Sequence, residues 1–436
     1  MRAALESIYG DFLERQMPRT FVSRDFDLKP IPGKAMAFIG MRRVGKTYLC
    51  YQKIVDLITT HKLPRENIFY LNFEDDRLFG FQLKDCQTIL DVFYQDRPEK
   101  KSEHCYFFFD EIQNVPDWER FIRRLLDTEN VSVYVTGSSA KLLSLEIATG
   151  LRGRSLDREV FPYSFSEYLR AHQLSIKTSP LGHQALLKLN QQAKNYCFTG
   201  GLPELQALES NHAREVAQSY VDAVVLRDVV ERHGVSNIEA LRSLLYHVLR
   251  SPCTKLSVNK LYLDFKSRGL RVAKDDLYAF LRHLTDAYLI FQLPLWTRSE
   301  KKRQVNPKKM YVIDNGILAA YSTQITQDRG ALLENLVYIT LRKQGLELGY
   351  YETKQGHEID FVYRDDDTTV LVQASWTLED KETREREIRA LESASREFTK
   401  TKKVIVTLDE EWSDSETEIQ AILLWKFLLE GILSDS

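Results

Sequence analysis

Gly40-Met41-Arg42-Arg43-Val44-Gly45-Lys46-Thr47 decides how the first part of this chain is read. The apolar run Ala35-Met36-Ala37-Phe38-Ile39 precedes it and reads as a strand; Thr47 to Ile58 reads as a helix. In that setting the pattern G-x-x-x-x-G-K-[ST] is a phosphate-binding loop. Glycines at 40 and 45 let the backbone curl so that its N–H groups face phosphate oxygens. The expected nucleotide contacts are Gly40, Arg42, Arg43, Val44, Gly45, Lys46, Thr47 and Tyr48. Lys46 would reach the β- and γ-phosphates of ATP, and Thr47 would offer its hydroxyl to Mg²⁺. The positive end of the helix faces the same anion.

Strands and helices alternate after the loop. Ile68-Phe69-Tyr70-Leu71-Asn72 reads as a buried strand, Gln82 to Tyr94 as a helix, and Tyr106-Phe107-Phe108-Phe109-Asp110 as a second strand. A helix over Trp118 to Asp127 and a strand over Val131 to Thr136 follow. This alternation implies an α/β fold, a parallel sheet with helices on both faces. Asp110-Glu111 ends its strand about 65 residues after the loop, at the carboxyl end of the sheet where ligands gather. Asp110 would hold Mg²⁺, and Glu111 would orient the attacking water. The extra strand and the adjacent glutamate favour the additional-strand class of phosphate-loop folds over the GTPase-like class. Thr136 or Ser138 would lie near the γ-phosphate and sense it, although Ser139 before Ala-Lys-Leu-Leu also suits a helix cap.

The chain has 436 residues, enough for two to four domains, with net charge −2, 43% hydrophobic and 28% charged residues. No global field draws it to nucleic acid or membrane, so any such attraction must be local. Five cysteines without metal-type spacing read as reduced thiols of a cytoplasmic protein. No apolar run reaches the length of a membrane span, and the amino terminus does not resemble a signal peptide.

Arg152-Gly153-Arg154, the block Phe161-Pro162-Tyr163-Ser164-Phe165-Ser166-Glu167-Tyr168, Gly200-Gly201-Leu202-Pro203-Glu204 and Val225-Leu226-Arg227-Asp228-Val229-Val230-Glu231-Arg232 complete a specific order of motifs. With the phosphate loop, Phe109-Asp110-Glu111-Ile112-Gln113 and Thr136-Gly137-Ser138-Ser139, they resemble the bacterial and archaeal AAA-type ATPases that carry a carboxy-terminal domain of unknown function. The resemblance runs through nearly the whole chain. It implies an AAA-type sheet over residues 1–200, a helical region with a winged helix over 201–325, and a restriction-endonuclease-like α/β domain over 326–436. It also implies that Arg152 or Arg154, of which Arg154 is preferred, acts as an arginine finger, most usefully on a neighbouring subunit. The bland reading of these arginines is a pairing with Asp157 or Glu159.

The helices starting at Ser257 and near Lys274, followed by strands Tyr288 to Leu293 and Met310 to Ile313, have the plan of a winged helix. The loop between the strands holds Arg298, Lys301, Lys302, Arg303, Lys308 and Lys309. Lys274 would meet a DNA groove, and Arg298, Lys301, Lys302 and Arg303 would grip phosphates; the alternative is a module for protein contact. In the last domain Glu334 and Asp360 match a nuclease pattern of two acids, then Glu-x-Lys, but Gln373 and Ser375 replace its last two groups. A vestigial site is expected, with nuclease activity disfavoured unless Glu358 or a lysine from elsewhere compensates. Lys381 to Arg389 reads as a salt-bridged solvated helix, Val404 to Thr407 as a strand, and Ile419 to Leu429 as a closing helix.

Three functions fit these residues. The first is a cytoplasmic, Mg²⁺-dependent ATPase whose cycle moves the attached domains, with nucleic acid, a protein or further copies of the chain as partner. The second is a nucleotide-gated DNA-binding or scaffold protein with slow turnover. The third is an ATP-dependent nuclease.

Overall fold

The structure is a computed structural model that describes residues 1–18, 21–95, 98–137, 150–174, 182–322 and 329–432. The chain divides into two compact units: Met1–Phe161 with Asp286–Tyr288, and Pro162–Thr285 with Leu289–Ser436.

In the first unit, β1 (Ala35–Ile39), β2 (Ile68–Asn72), β3 (Cys105–Asp110), β4 (Val131–Gly137) and β5 (Ser155–Glu159) form one parallel sheet. The order is β2-β3-β4-β1-β5. β4 therefore lies between the strand that feeds the loop and the strand that ends in Asp110, the arrangement of the additional-strand class. Register aligns the strand ends: Ile39 pairs with Gly137, Phe109 with Val135, and Asn72 with Asp110. Helices α1 (Arg2–Glu14), α2 (Lys46–Thr59), α3 (Cys86–Tyr94) and α4 (Trp118–Thr128) accompany the sheet. Phe69, Phe107, Phe108, Phe109 and Tyr134 are fully buried, and the Phe108 and Tyr134 rings stack 4.7 Å apart. This apolar centre holds the strand tips that carry chemistry.

β5 is not apparent in the sequence. Ser-Leu-Asp-Arg-Glu lacks an apolar run because it is an edge strand, no residue of which is fully buried. The helix expected from Gln82 begins instead as a short 3₁₀ turn at Leu83–Asp85 and becomes α-helical at Cys86.

The second unit begins at Pro162, earlier than the boundary expected near residue 200. The physical reason is local bonding: Tyr163 N donates to Gly201 O at 2.7 Å, and Lys343 Nζ donates to Pro162 O at 2.9 Å. Helices dominate to Arg250, including a π-helical stretch Val224–Glu231. A small sheet, β6 (Lys255–Leu256), β8 (Lys308–Val312) and β7 (Ile290–Leu293) in that order, accompanies helices Val258–Ser267 and Lys274–Asp286. The basic stretch between β7 and β8 is not all loop: Glu300–Val305 is a helix, with Ser299 Oγ accepting from Lys302 N at 3.4 Å.

A mixed six-stranded sheet follows. It contains β9 (Gly349–Glu352), β10 (Glu358–Asp365), β11 (Thr368–Ala374), β12 (Thr401–Thr407), β13 (Trp412–Asp414) and β14 (Ile419–Leu423). Its order is β13-β14-β12-β11-β10-β9. The closing helix expected from Ile419 is a correction: Ile419–Leu423 is a strand parallel to β12, and the helix is only Leu424–Glu430. A short apolar run suits either form, and the free edge of β12 decided it. All five cysteines are buried free thiols, and among the described residues no helix is long and apolar enough to cross a membrane.

Candidate functional site

The phosphate loop leaves β1 at Gly40 and enters α2 at Lys46. Gly45, with φ 98°, takes the left-handed conformation at the cap of α2. Arg43, with φ 68°, takes it without the glycine exemption, a strained geometry of the kind found in ligand-binding loops. Gly40 has φ 156°, and a Cβ there would stand 2.3 Å from Val160 O, at the end of β5. Val160 N also donates to Ile39 O at 2.7 Å, so the loop cannot simply move aside. Gly40→Ala is therefore expected to lower stability by about 1–3 kcal/mol and to weaken nucleotide binding. Thermal melts with and without ATP would check this; an unchanged melting temperature would contradict it.

Lys46 is 4% exposed, and its Nζ donates to Gly40 O at 3.0 Å and Met41 O at 2.9 Å. The ammonium is thus folded over the loop that the phosphates would enter. Arg42 pairs with Glu74 at 3.0 Å, and Tyr48 is exposed on the first turn of α2. Arg24 carries no signal in the sequence. Its guanidinium is buried and donates to Val44 O at 2.9 Å and Phe161 O at 2.7 Å, which pins the loop from behind.

Asp110 is fully buried at the tip of β3. Its Oδ2 accepts from Thr47 Oγ1 at 2.8 Å and Tyr70 OH at 2.9 Å, and Thr136 Oγ1 donates to Oδ1. Burial raises the Asp110 carboxyl above the usual carboxylate range, the hydroxyl of Thr136 opposes this, and neighbouring Glu111 adds to the rise. The hydroxyl of Thr47 and the carboxylate of Asp110 are hard oxygen donors 2.8 Å apart, a pair that fits Mg²⁺ when phosphate oxygens complete the shell.

Thr136, expected to sense the γ-phosphate, has its hydroxyl committed elsewhere: it donates to Asp110 and accepts from Glu111 N at 3.0 Å. It therefore clamps the acid pair. Glu111 sits in the left-handed region with φ 53°, and its Oε2 accepts from Gln113 Nε2 at 2.5 Å. Tyr70 is hidden in the sequence because a tyrosine in a buried strand normally reads as core. The register pairing of Tyr70 with Phe108 places its hydroxyl two residues short of Asp110. Ser138 lies outside the described residues.

Arg154 is at the other end of the sheet. Its carbonyl accepts from Ala35 N at 2.8 Å, at the entrance to β1, and its guanidinium pairs with Asp127 near the end of α4. β1 is five residues long, so Arg154 stands about 16 Å, one strand length, from the loop of its own chain.

In the second unit Glu334 and Asp360 of the expected vestigial nuclease site do come together, with Glu358 and with Lys309, an acid and a lysine from elsewhere of the kind left open as compensation. Lys309, 3% exposed on β8, places its Nζ 2.6 Å from Glu334 Oε1, 2.9 Å from Glu358 Oε1 and 3.1 Å from Asp360 Oδ1. This corrects the expectation that it belongs to a basic loop. Gln373 is fully engaged: Oε1 accepts from Asp360 N at 2.8 Å, and Nε2 donates to Glu358 O at 3.0 Å and Glu387 Oε2 at 2.8 Å. Its amide is a structural cross-link. Ser375 Oγ turns to Thr377 O at 3.0 Å. Burial and the Asp360 charge push the Glu334 carboxyl up to about 8, against the pull of Lys309.

The expected DNA contacts fall in two places, Lys274 on its own helix and the other four between β7 and β8. Lys274 opens its helix with Asp275 and Asp276 in the same first turn, which offsets attraction for phosphate. Lys301 and Lys302 are exposed on helix Glu300–Val305, and Arg303 pairs with Glu347 at 2.9 Å. Arg298 is exposed.

A five-stranded sheet with β4 inserted, a phosphate loop on β1 and an acid pair on β3 define an AAA-type ATPase fold. Residues 32–169 match the family described as AAA domain, residues 190–328 the domain of unknown function DUF8612, and residues 329–427 the domain of unknown function DUF4143. The chain is 33% identical over 439 residues to the uncharacterized protein MJ1544 of Methanocaldococcus jannaschii, spanning 97% of this chain and 95% of that protein. It belongs to the same family as that protein, and in this chain an AAA domain precedes two domains of unknown function. An uncharacterized protein of Haemophilus influenzae is 28% identical over 370 residues, spanning 83% of this chain and 88% of that one. Among solved structures, the Aeropyrum pernix ORC2 protein, described in ADPNP-ADP complexes, aligns with 79% of this chain and 94% of its own at 13% identity and a TM-score of 0.39.

Proposed function

We propose that this chain binds and hydrolyses ATP and that the cycle changes the conformation of its attached helical and α/β parts, read as three domains at 1–200, 201–325 and 326–436. The observation that carries this is the bonded set Thr47, Asp110, Thr136 and Glu111 where the α2 amino terminus meets the strand ends, with Lys46 folded over the adjoining loop. Thr47 and Asp110 would hold Mg²⁺, which supplies charge neutralisation at the phosphates. On binding, Lys46 exchanges its two carbonyl partners for phosphate oxygens, and the α2 amino terminus adds its dipole. Glu111 orients and polarises the attacking water. The Gln113 amide restricts the Glu111 carboxylate, and Thr136 fixes its backbone. Arg154 is read as an arginine finger acting on a neighbouring copy, a reading supported by its place one strand length from the loop of its own chain.

The test is Lys46→Ala. Steady ATP turnover is expected to fall at least 100-fold, because the group that neutralises phosphate charge is removed. Turnover equal to that of the unaltered chain would remove the proposal.

For the α/β domain we propose a binding role over nuclease activity. Lys309 and Glu358 stand where a compensating lysine and acid would, but Lys309 is ion-paired to Glu334, Glu358 and Asp360 together, and the Gln373 amide is engaged by Asp360 N, Glu358 O and Glu387, which supports binding over cleavage.

A further inference from the structure

The second unit contains a cavity of about 650 Å³ between the exit of β7 and the edge of the six-stranded sheet. Its wall is rigid. Tyr350 N donates to Pro294 O at 3.0 Å, and Trp296 N donates to Tyr350 O at 2.6 Å, so the segment after β7 is laced to β9. Gly349 permits this approach: a Cβ there would stand 3.0 Å from both the N and the Cβ of Trp296. Trp296 is thereby held at the cavity with part of its side chain open. Tyr351 and Phe398, also half-buried, line the cavity with ring centroids 5.0 Å apart, and Tyr351 OH donates to Glu397 Oε2 at 3.1 Å.

Three arginines, Arg298, Arg303 and Arg364, stand among these aromatic groups, with Glu347 the one acid in the described lining. Glu347 is taken by Arg303. Arg298 and Arg364 are exposed and carry no ion pair or side-chain hydrogen bond among the described residues. Two uncommitted guanidinium groups call for phosphate or carboxylate, and flat open aromatic surfaces call for a planar ring. A nucleotide supplies both. A cavity of this volume suits one or two nucleotides and not a duplex, and single strands are held by this combination of stacking and arginine.

We propose that this cavity binds a segment of single-stranded nucleic acid, stacking a base against Trp296 and the Tyr351–Phe398 pair while Arg298 and Arg364 hold phosphates. This deepens the binding role proposed for the α/β domain by naming its ligand class. It does not rest on ATP hydrolysis, and the acids beside Lys274 make that helix the weaker alternative.

The test uses the full chain in EDTA without ATP, with a fluorescein-labelled dT₁₂ oligonucleotide followed by anisotropy over a salt series. Arg298→Gln with Arg364→Gln is expected to weaken binding about 10-fold or more and to reduce the log–log salt slope by about 1.4, about 0.7 for each lost phosphate contact. Trp296→Ala is expected to weaken binding about 5- to 100-fold with the slope unchanged, because stacking releases no counterion. Retained ATP turnover in the arginine variant keeps this outcome separate from the hydrolysis reading. Free dTMP competing as well as the oligonucleotide would overturn the strand assignment in favour of a mononucleotide. Absence of binding at low salt, or binding that neither variant changes, would overturn the proposal. So would tighter binding of a duplex that is insensitive to the arginine changes.

Discussion

Glu111→Gln is expected to lower steady ATP turnover about 10²- to 10⁴-fold while leaving nucleotide binding close to that of the unaltered chain. The substitution keeps the side-chain volume and one carbonyl oxygen and removes the negative charge that polarises water. The fold should tolerate it, because the acid pair is organised through other atoms. Glu111 N donates to Thr136 Oγ1, and Thr136 Oγ1 donates to Asp110, so neither bond uses the Glu111 carboxylate. Gln113 keeps an oxygen acceptor at residue 111, since an amide can present either end. The loss corresponds to about 3–5 kcal/mol in the barrier, an effect concentrated in the chemical step. Lys46→Ala should instead damage binding and turnover together. Phosphate release and calorimetry with ATP, run side by side, separate the two variants. Turnover of the Glu111→Gln variant within about threefold of the original would show that Glu111 is not the group that orients water.

The first site was legible because its parts are local or obey a topological rule. The loop is eight consecutive residues, and Asp110-Glu111 ends a strand, so the carboxyl-end rule placed it without knowledge of its neighbours. Arg24, Tyr70 and the clamping role of Thr136 were not legible. Each reaches its targets across 20 to 137 residues of sequence separation, and Tyr70 and Thr136 sit on strands whose order the sequence does not print. The same limit explains Lys309. In sequence it is the last of a run of basic residues and reads as solvated. In the fold it takes the buried side of β8, where helix Arg329–Lys343 and β10 deliver Glu334, Glu358 and Asp360. Alternation along β8 gives two adjacent lysines opposite faces, and only one of them is buried. The arginines at the cavity follow a similar logic: Arg298 and Arg364 are far apart in the chain and line one cavity where the segment after β7 lies against β9, an approach that Gly349 permits.

Lys309→Met is expected to destabilise the second unit by about 2–4 kcal/mol, because it leaves the half-buried carboxylates of Glu334 and Asp360 without their counter-charge, while Glu358 keeps Lys255. Methionine preserves most of the volume, so lost charge and not a cavity dominates. Burial works against the ammonium, but Asp360, Glu334 and Glu358 outweigh it and hold its pKa well above the ordinary lysine value. That contribution is present at neutral pH and is lost only in strongly alkaline solution. Glu334 sets the other sign. Its carboxyl, raised from 4.5 to about 8, takes up a proton on folding, so its effect on stability becomes less favourable as pH rises through that window. Lys309 limits this penalty in the unaltered chain, and its removal pushes Glu334 further up. The gap in melting temperature between the two proteins should therefore be wider at pH 9 than at pH 5.5. Glu358 is the lesser opposing case: burial raises its carboxyl, but Lys309 and Lys255 bring it below the usual range, a contribution lost as pH falls. Adding Glu334→Gln to Lys309→Met removes one uncompensated charge, and the double variant should recover part of the loss in a double-mutant cycle. A loss below about 1 kcal/mol that does not change with pH would mean that the ammonium does not hold this cluster together.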